Sequence, residues 1–426
     1  MATRNLFVIG LDAFNRDTLQ AWLDEHAITV HALLETEDVR RADSYRFAEL
    51  LDRARQQLHG FRGTIDGITT WWDFPSTSLW PILAAEHGCA APSLAAVLRC
   101  EHKYWSRLVQ ARLAGDHVPR FQPVDPFDDE TVAAIDVGIP YWLKPVKSVA
   151  SNLAFLISNQ GDLEHALPLI RAEIGRFGEP FDEVLELVEL PDEVAAVTGT
   201  WCLAEELLSG EMVTVEGYVH AGEATTYGVV HSVREPGMSS FARYQYPSRL
   251  DEDLQRRMTE LAERLMTHLG YDHGAFNVEM FHDPETDRIH LLEINPRASQ
   301  SHADLFEKVD GTPSTAATVE LALGERPTRG HRQGPFGCAA KFFVRLHDDA
   351  RVVAVPTSQQ VAAIEDQIPG ARIEITVEPG MRLSELHDQD SYSYELAVVY
   401  LGADDEEQLL KRYASIEQRL RFELDR

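Results

Sequence analysis

The chain has 426 residues, 44% of them hydrophobic and 25% charged, and its 69 acidic against 39 basic side chains give a net charge of −30. That length exceeds one core and implies about two to four domains. So acidic a balance excludes a nucleic-acid backbone or an anionic membrane surface as the main partner. It does not exclude a nucleotide, because local lysines, arginines and a divalent cation neutralise phosphate whatever the global sign. Cys89, Cys100, Cys202 and Cys338 form no CxxC pair, which excludes zinc and thioredoxin-like readings and suggests buried, reduced thiols in a cytoplasmic protein. No apolar run approaches the roughly 18 residues of a membrane span. The segment LFVIGL near the start lies between Asn5 and Asp12 and reads as a strand rather than a cleavable leader.

In chain order, residues 6–11 predict a buried strand and DTLQAWLDEH a helix, followed by a second strand over 28–33, a helix over 47–58 and a third strand in TIDGITT. Strand, helix and strand at this spacing predict an open α/β sheet. Only Gly10 stands in its first turn and no GxGxxG exists, so a dinucleotide site is not expected. Trp71, Trp72, Phe74 and Trp80 read as packing beneath loops, with a substrate wall as the smaller alternative. Residues 94–113 predict a helix with a break near Cys100, in which Lys103 alone reads as an exposed lysine. A strand over 139–144 ends in Lys144, followed by a loop with Lys147 and Ser148 and then an apolar helix. Gly210 marks a turn before a strand carrying Val213, Val215 and Val219. Residues 225–233, with Arg234 and Arg243 after them, suit either a charged surface hairpin or a strand crossing a cleft. Leu254, Met258, Leu261, Leu265 and Leu269 form the stripe of an amphipathic helix over 250–269. The tail reads as strands over 339–345, 373–377 and 394–402, then a helix whose early acids and late bases suit its dipole.

The most informative stretch is residues 273–304. Two apolar runs, AFNVEMF and RIHLLEINP, flank the turn-rich HDPETD and predict an antiparallel hairpin. Each strand carries one carboxylate among apolar neighbours, Glu279 and Glu293. Asn295 follows Glu293 by two residues and Arg297 follows by two more, so they share a face. Two carboxylates and an amide oxygen suit a hard divalent cation that keeps phosphate and water in its other positions. The arginine suits a phosphoryl group or a substrate carboxylate. The plainer alternative is a hairpin whose glutamates face water, with Arg297 pairing one of them. His268, His273, His282 and His290 crowd the same region without an HExxH spacing, so zinc is not expected. His302 is retained as a site candidate because it lies just beyond Arg297.

Glu279 with Glu293-Ile294-Asn295-Pro296-Arg297 resembles the metal-binding end of the ATP-grasp superfamily, a strand Glu followed by a strand ending E-x-N-x-R. Within it the chain is most similar to carboxylate–amine ligases, of which amino-acid ligases and biotin carboxylase are relatives. The resemblance implies an α/β and α+β multidomain fold. Residues 1–99 would form a Rossmann-like pre-ATP-grasp domain that does not bind the nucleotide. Residues 100–333 would form the ATP-grasp domain, with subdomains at 100–198 and 199–333, and residues 334–426 a small α+β cap. It further implies ATP with Mg²⁺ or Mn²⁺, the metal held by Glu279, Glu293 and Asn295. Lys103 and Lys144 would hold phosphates, and Lys147 and Ser148 would lie in the loop folding over them. That loop lacks the glycines usual in relatives, so side chains stand in for backbone donors. Glu205, Glu206, Leu207 and Leu208 match the adenine hinge. Met212 occupies the usual ribose-binding position, and Glu211, one residue earlier, is the candidate in its place. Arg297 and Asn295 are the catalytic candidates.

The function this implies is an ADP-forming ligase that phosphorylates a carboxylate and couples the acyl phosphate to an amine. The expected partners are a small-molecule acid and amine, with no nucleic acid and no membrane, and a homodimer is among the assemblies allowed. Two alternatives stay open. One is a carboxylase-type enzyme using bicarbonate, and the other is an ATP-binding regulatory protein without catalysis.

Overall fold

The computed structural model describes residues 3–40, 44–149, 151–238, 240–386 and 392–425. Three parallel strands, β1 (Arg4–Ile9), β2 (Ile28–Leu33) and β3 (Gly67–Thr69), form the first sheet in the order β2-β1-β3. β1 is apolar without alternation because both of its faces are covered. Leu6 and Val8 meet Leu19 and Leu23 of the helix Ala13–Glu25 together with Ala316 and Val319 of the helix Ser314–Ala322. Phe7 and Ile9 meet Phe47, Leu51 and Ala54 of the helix Phe47–Gly60. A helix from far along the chain therefore closes one face of the first sheet.

The helix expected over 94–113 is two helices, Leu94–Glu101 and Lys103–Ala114. The break falls at His102, whose Nδ1 accepts the Trp105 backbone N–H at 3.2 Å and so caps the second helix. Its Nε2–H donates to the Val197 carbonyl at 2.8 Å, and burial pushes the ring down to about 4, so it stays neutral. The break turns Lys103 inward. The residue is only 9% exposed, which corrects the surface reading of this lysine.

A second sheet contains β4 (Phe121–Val124), β5 (Tyr141–Pro145), β6 (Phe155–Ile157) and β7 (Cys202–Glu206) in the order β4-β7-β5-β6. The helix Gln160–Glu173 presses Leu163, Ala166 and Ile170 onto it. β6 stands where the sequence suggested a helix directly after the loop. Then come β8 (Glu211–His220), β9 (Glu223–Arg234), β10 (Phe241–Tyr246), β11 (Gly274–Asp283) and β12 (Arg288–Asn295). The tail supplies β13 (Cys338–Leu346), β14 (Arg351–Ala354), β15 (Arg372–Ile375), β16 (Tyr394–Ala403) and β17 (Glu423–Asp425).

Eight of these strands form one antiparallel sheet in the order β12-β11-β8-β9-β10-β13-β16-β15, while β14 pairs with β17. The strands β13, β15 and β16 of the α+β tail thus extend the sheet begun by the β11–β12 hairpin. One face of that sheet packs on the helix Glu252–His268, whose Leu254, Met258, Leu261 and Leu265 meet Val213, Val215, Val278 and Met280. Asp251 starts this helix by accepting the Leu254 N–H at 2.9 Å. The opposite face lines a cavity. Gly210, between β7 and β8, has φ +103°, and a Cβ there would stand 2.0 Å from the His282 carbonyl oxygen, so no other residue fits this turn. Among the described residues no helix is long and apolar enough to cross a membrane. The four cysteines are free thiols.

Candidate active site

The cavity has a volume of about 840 Å³ and is walled by the first sheet's loops, the second sheet and the open face of the long sheet. At one end lies the β11–β12 hairpin. Glu279 and Glu293 stand directly opposite each other in its register, as do Asn277 and Asn295. Facing carboxylates repel, and the environment shows it. Burial and the Glu293 charge push the Glu279 carboxyl up to about 7. Glu293 itself stays below the usual carboxylate range, since Lys103 and Lys144 outweigh the effect of burial. Asn295 Nδ2 donates to Asn277 Oδ1 at 2.9 Å and to Glu279 Oε1 at 3.2 Å. Asn277 Nδ2 in turn donates to the Arg297 carbonyl at 3.1 Å. This relay orients the Asn295 amide with its oxygen left over for a cation. Among the described residues no three His, Cys, Asp or Glu side chains form a metal cluster. The hairpin offers two carboxylates and an amide oxygen, the donor set of a hard cation that shares its shell with phosphate and water.

Every cation expected here is paired with a protein carboxylate. Lys103 Nζ lies 3.2 Å from Glu293 Oε1 and donates to the Ser148 carbonyl at 3.4 Å. Lys144 pairs with Glu205, so its ammonium is not unpartnered at the strand end. Arg107 Nε also reaches Glu205 Oε1 at 2.5 Å while its other nitrogens donate to the carbonyls of Leu291 and Leu292 at 3.0 and 2.7 Å. Burial favours the protonated form of Glu205, yet Arg107 and Lys144 hold its carboxyl down at about 2. Lys147 lies 3.3 Å from Glu101 Oε2, over the rings of Phe74 and Phe181. Arg297 grips Asp73 bidentately at 2.7 and 2.8 Å. It does not pair a hairpin glutamate, which corrects the plainer reading of the hairpin. Burial would raise the Asp73 carboxyl, and Arg297 more than reverses this.

The loop after β5 has no glycine, yet Ser151 and Leu153 adopt φ of 57° and 56°. These are the left-handed conformations that glycine usually supplies, taken here at some cost in strain. Ala150, within the loop expected to cover the phosphates, lies outside the described residues. Ser148 is buried and lines the cavity beside Lys147.

Glu205, Glu206 and Leu208 line the cavity, but Glu205 spends its side chain on Arg107 and Lys144. Leu207 is 36% exposed and is not part of the wall. Glu211, with a side chain 47% exposed and 3.9 Å from His231, is not brought to the cavity either. Arg234 lines the cavity, its guanidinium over the Phe281 ring at 4.9 Å, whereas Arg243 turns away to Glu406 at 2.8 Å. The tryptophans expected under loops are buried as packing, and Trp71, Trp72 and Phe74 also form cavity wall. His302 is buried, with Nδ1 2.7 Å from Glu216 Oε1, and Glu216 also accepts from the Tyr227 hydroxyl at 3.2 Å. His268 bonds the Arg264 carbonyl and His282 bonds Asp287.

Asp73, Glu101 and Arg107 were not foreseen. Asp73 carried a signal, as the one acid inside the run Trp71-Trp72-Asp73-Phe74. Glu101 and Arg107 carried none, since a charged residue on an amphipathic helix reads as solvated.

Residues 137–303 match the family model described as the ATP-grasp domain. The carbamoyl phosphate synthase large chain of Thermus thermophilus is 33% identical over 221 residues, covering 50% of this chain and 19% of that relative. The chain therefore spans less than a fifth of that protein's length. Among solved structures, the L-amino acid ligase from Bacillus licheniformis aligns with a TM-score of 0.72 at 13% identity, covering 99% of each chain. N5-carboxyaminoimidazole synthase from Aspergillus clavatus, in complex with ADP and 5-aminoimidazole ribonucleotide, aligns at 0.67 with 17% identity, covering 98% of each. At these identities the likeness shows a shared fold.

Proposed function

Because this chain carries an ATP-grasp domain over residues 137–303, we propose that it is an ADP-forming carboxylate–amine ligase. The observation that carries this reading is the Glu279–Glu293 pair, opposed across a hairpin with Lys103 and Lys144 beside it. Two carboxylates so placed, one of them raised to about 7, fit a group that relieves their repulsion. Glu279, Glu293 and the Asn295 amide oxygen would hold Mg²⁺ or Mn²⁺. Such an ion would supply positive charge against the charge that builds in phosphoryl transfer. The proposal includes the division into 1–99, 100–333 and 334–426, with the nucleotide between the second sheet and the long sheet.

Lys103 and Lys144 bind the phosphates. Main-chain groups of Glu206 and Leu208, which line the cavity, meet the base. Lys147, Ser148 and the strained loop beyond them exclude water from the reacting groups. Arg297 orients the acid. A carboxylate oxygen of the acid takes the γ-phosphoryl group and ADP leaves. The amine nitrogen then attacks the acyl carbon, and phosphate departs with the bonding pair. Glu216 holds His302 through Nδ1, which leaves Nε2 to receive the proton the amine gives up. Positioning and charge neutralisation supply most of the rate.

Hydroxylamine in place of the amine tests this reading. With the right acid it traps the acyl phosphate, and ADP, phosphate and hydroxamate appear in equal amounts. AMP with pyrophosphate would mean adenylate chemistry and would overturn the proposal.

A further inference from the structure

The β10, β13 and β16 portion of the long sheet presents a group for which the ligase chemistry has no use. Antiparallel register places Phe281, Met212, Ser232, Tyr244, Lys341 and Tyr400 in one row across the sheet, on the cavity face. Four inter-strand steps separate Phe281 on β11 from Lys341 on β13. At about 4.8 Å each, this sets the Lys341 backbone roughly 19 Å along the sheet from the metal hairpin. Lys341 is 7% exposed and lines the cavity.

Among the described residues its ammonium makes one hydrogen bond, to Ser301 Oγ at 3.0 Å. It stands over the rings of Phe343 and Tyr400 at 5.0 and 5.5 Å. Lys103, Lys144 and Lys147 each have a carboxylate at ion-pair distance, and among the described residues Lys341 has none. Glu374 and Glu395 line the same end, but Glu395 is engaged with Arg345 at 4.0 Å. Burial lowers the Lys341 pKa; Glu395 and Glu374 oppose this, while Arg40, over Trp72 at 4.3 Å across the cavity, and Arg345 add to it. A buried ammonium with no described carboxylate at ion-pair distance is only partly compensated, and a cavity wall is where a ligand can supply the closer partner.

We propose that this end of the cavity is an anion subsite, in which Lys341 and Arg40 hold a carboxylate or phosphate group that a substrate carries in addition to its reacting group. The substrate role rests on the ligase reading, whereas the anion binding does not. Ser301 belongs to the polar run that follows Arg297, so one short segment joins the reacting end to the subsite. The substrate is then an acid or amine with a second anionic group on the far side of its reacting atom.

The test uses the full chain with Mg²⁺ and a non-hydrolysable ATP analogue, and compares glycine with glycinamide and O-phosphoethanolamine with ethanolamine by thermal shift. At about ten times its dissociation constant an anionic probe should raise the melting temperature by about 2 °C, while its neutral counterpart does not. A response to glycine alone assigns a carboxylate, and one to O-phosphoethanolamine alone assigns a phosphate. Lys341→Met should abolish the shift. It removes a buried charge and keeps the stem, so it should melt no lower than the wild type. Arg40→Gln, at a partly exposed site, should weaken the shift severalfold. No shift with either anionic probe, or a shift that survives Lys341→Met, overturns the subsite. Binding of the ATP analogue is read separately. If it fails in the wild type while the anionic probes still bind, the ligase reading falls and the subsite stands.

Discussion

Glu279→Gln should stabilise the metal-free protein while abolishing its activity. The Glu279 carboxyl is raised to about 7 from its ordinary value of 4.5, chiefly by burial and next by Glu293. A carboxyl whose folded value is raised favours the fold while protonated. That contribution is complete below about 4.5 and is lost as the pH rises through about 7. At about 1.4 kcal/mol per tenfold, the ionised pair costs the fold on the order of 3 kcal/mol well above pH 7. Glutamine carries no charge, and its amide oxygen can still accept from Asn295 as Oε1 does at 3.2 Å. The neighbouring cations keep their partners, Lys144 on Glu205 and Arg297 on Asp73. Melting curves in EDTA from pH 5 to pH 8 are the assay. The wild type should lose several degrees relative to the variant across that range and regain them on adding Mg²⁺. The variant should show neither effect, and its turnover should fall at least about a hundredfold, since the proposed metal site loses one of its two carboxylates. A variant that melts at or below the wild type at pH 8 in EDTA, or that keeps wild-type turnover at limiting Mg²⁺, would refute the reasoning.

Two further substitutions separate binding from chemistry. Lys144→Met should raise the dissociation constant for ATP more than about tenfold, about 1.4 kcal/mol, as measured by calorimetry. Arg107 still holds Glu205, so the fold should survive, and an unchanged affinity would leave Lys144 a purely structural ion pair. His302→Asn should keep hydroxamate formation near the wild-type rate, because hydroxylamine attacks as a neutral nucleophile, and should slow coupling to ordinary amines about a hundredfold. Equal loss of both reactions would show that His302 only supports the fold.

The hairpin was legible because its signals were local. Two apolar runs, a turn and an E-x-N-x-R spacing fix which side chains share a face, and the structure sets Glu279 opposite Glu293 accordingly. The helix over 252–268 was equally plain from its apolar stripe. What escaped were the partners of the cations. Asp73, Glu101 and Glu205 meet Arg297, Lys147 and Lys144 across chain separations of up to 224 residues, and no periodicity encodes such pairings. The inward turn of Lys103 rests on one helix cap made by His102, a residue not usual at that position. The joining of β13 to β10 was invisible for a related reason. A strand pattern shows that a strand exists but not which neighbour it takes.

The paired cations also bear on how the cavity reaches its working state. Lys103, Lys144, Lys147 and Arg297 are neutralised by Glu293, Glu205, Glu101 and Asp73, so the site is held in place before any phosphate arrives. These pairs differ in what a ligand must do to them. Glu205 keeps Arg107 if Lys144 swings to a phosphate, so that exchange leaves no buried charge alone. Among the described residues Glu293 has only Lys103 at ion-pair distance, with Lys144 acting on it from farther off. Releasing Lys103 to a phosphate leaves Glu293 facing Glu279 unless a metal ion enters at the same time. Under the proposed function, nucleotide and metal would be coupled through one carboxylate, and each should bind more tightly in the presence of the other. Asp73 is a different case, because its partner Arg297 adjoins the proposed reacting centre while Asp73 itself belongs to the loop after β3. A substrate carboxylate that engages Arg297 must share it with Asp73 or displace it. Occupancy of the acid site is thereby linked to the position of the first sheet.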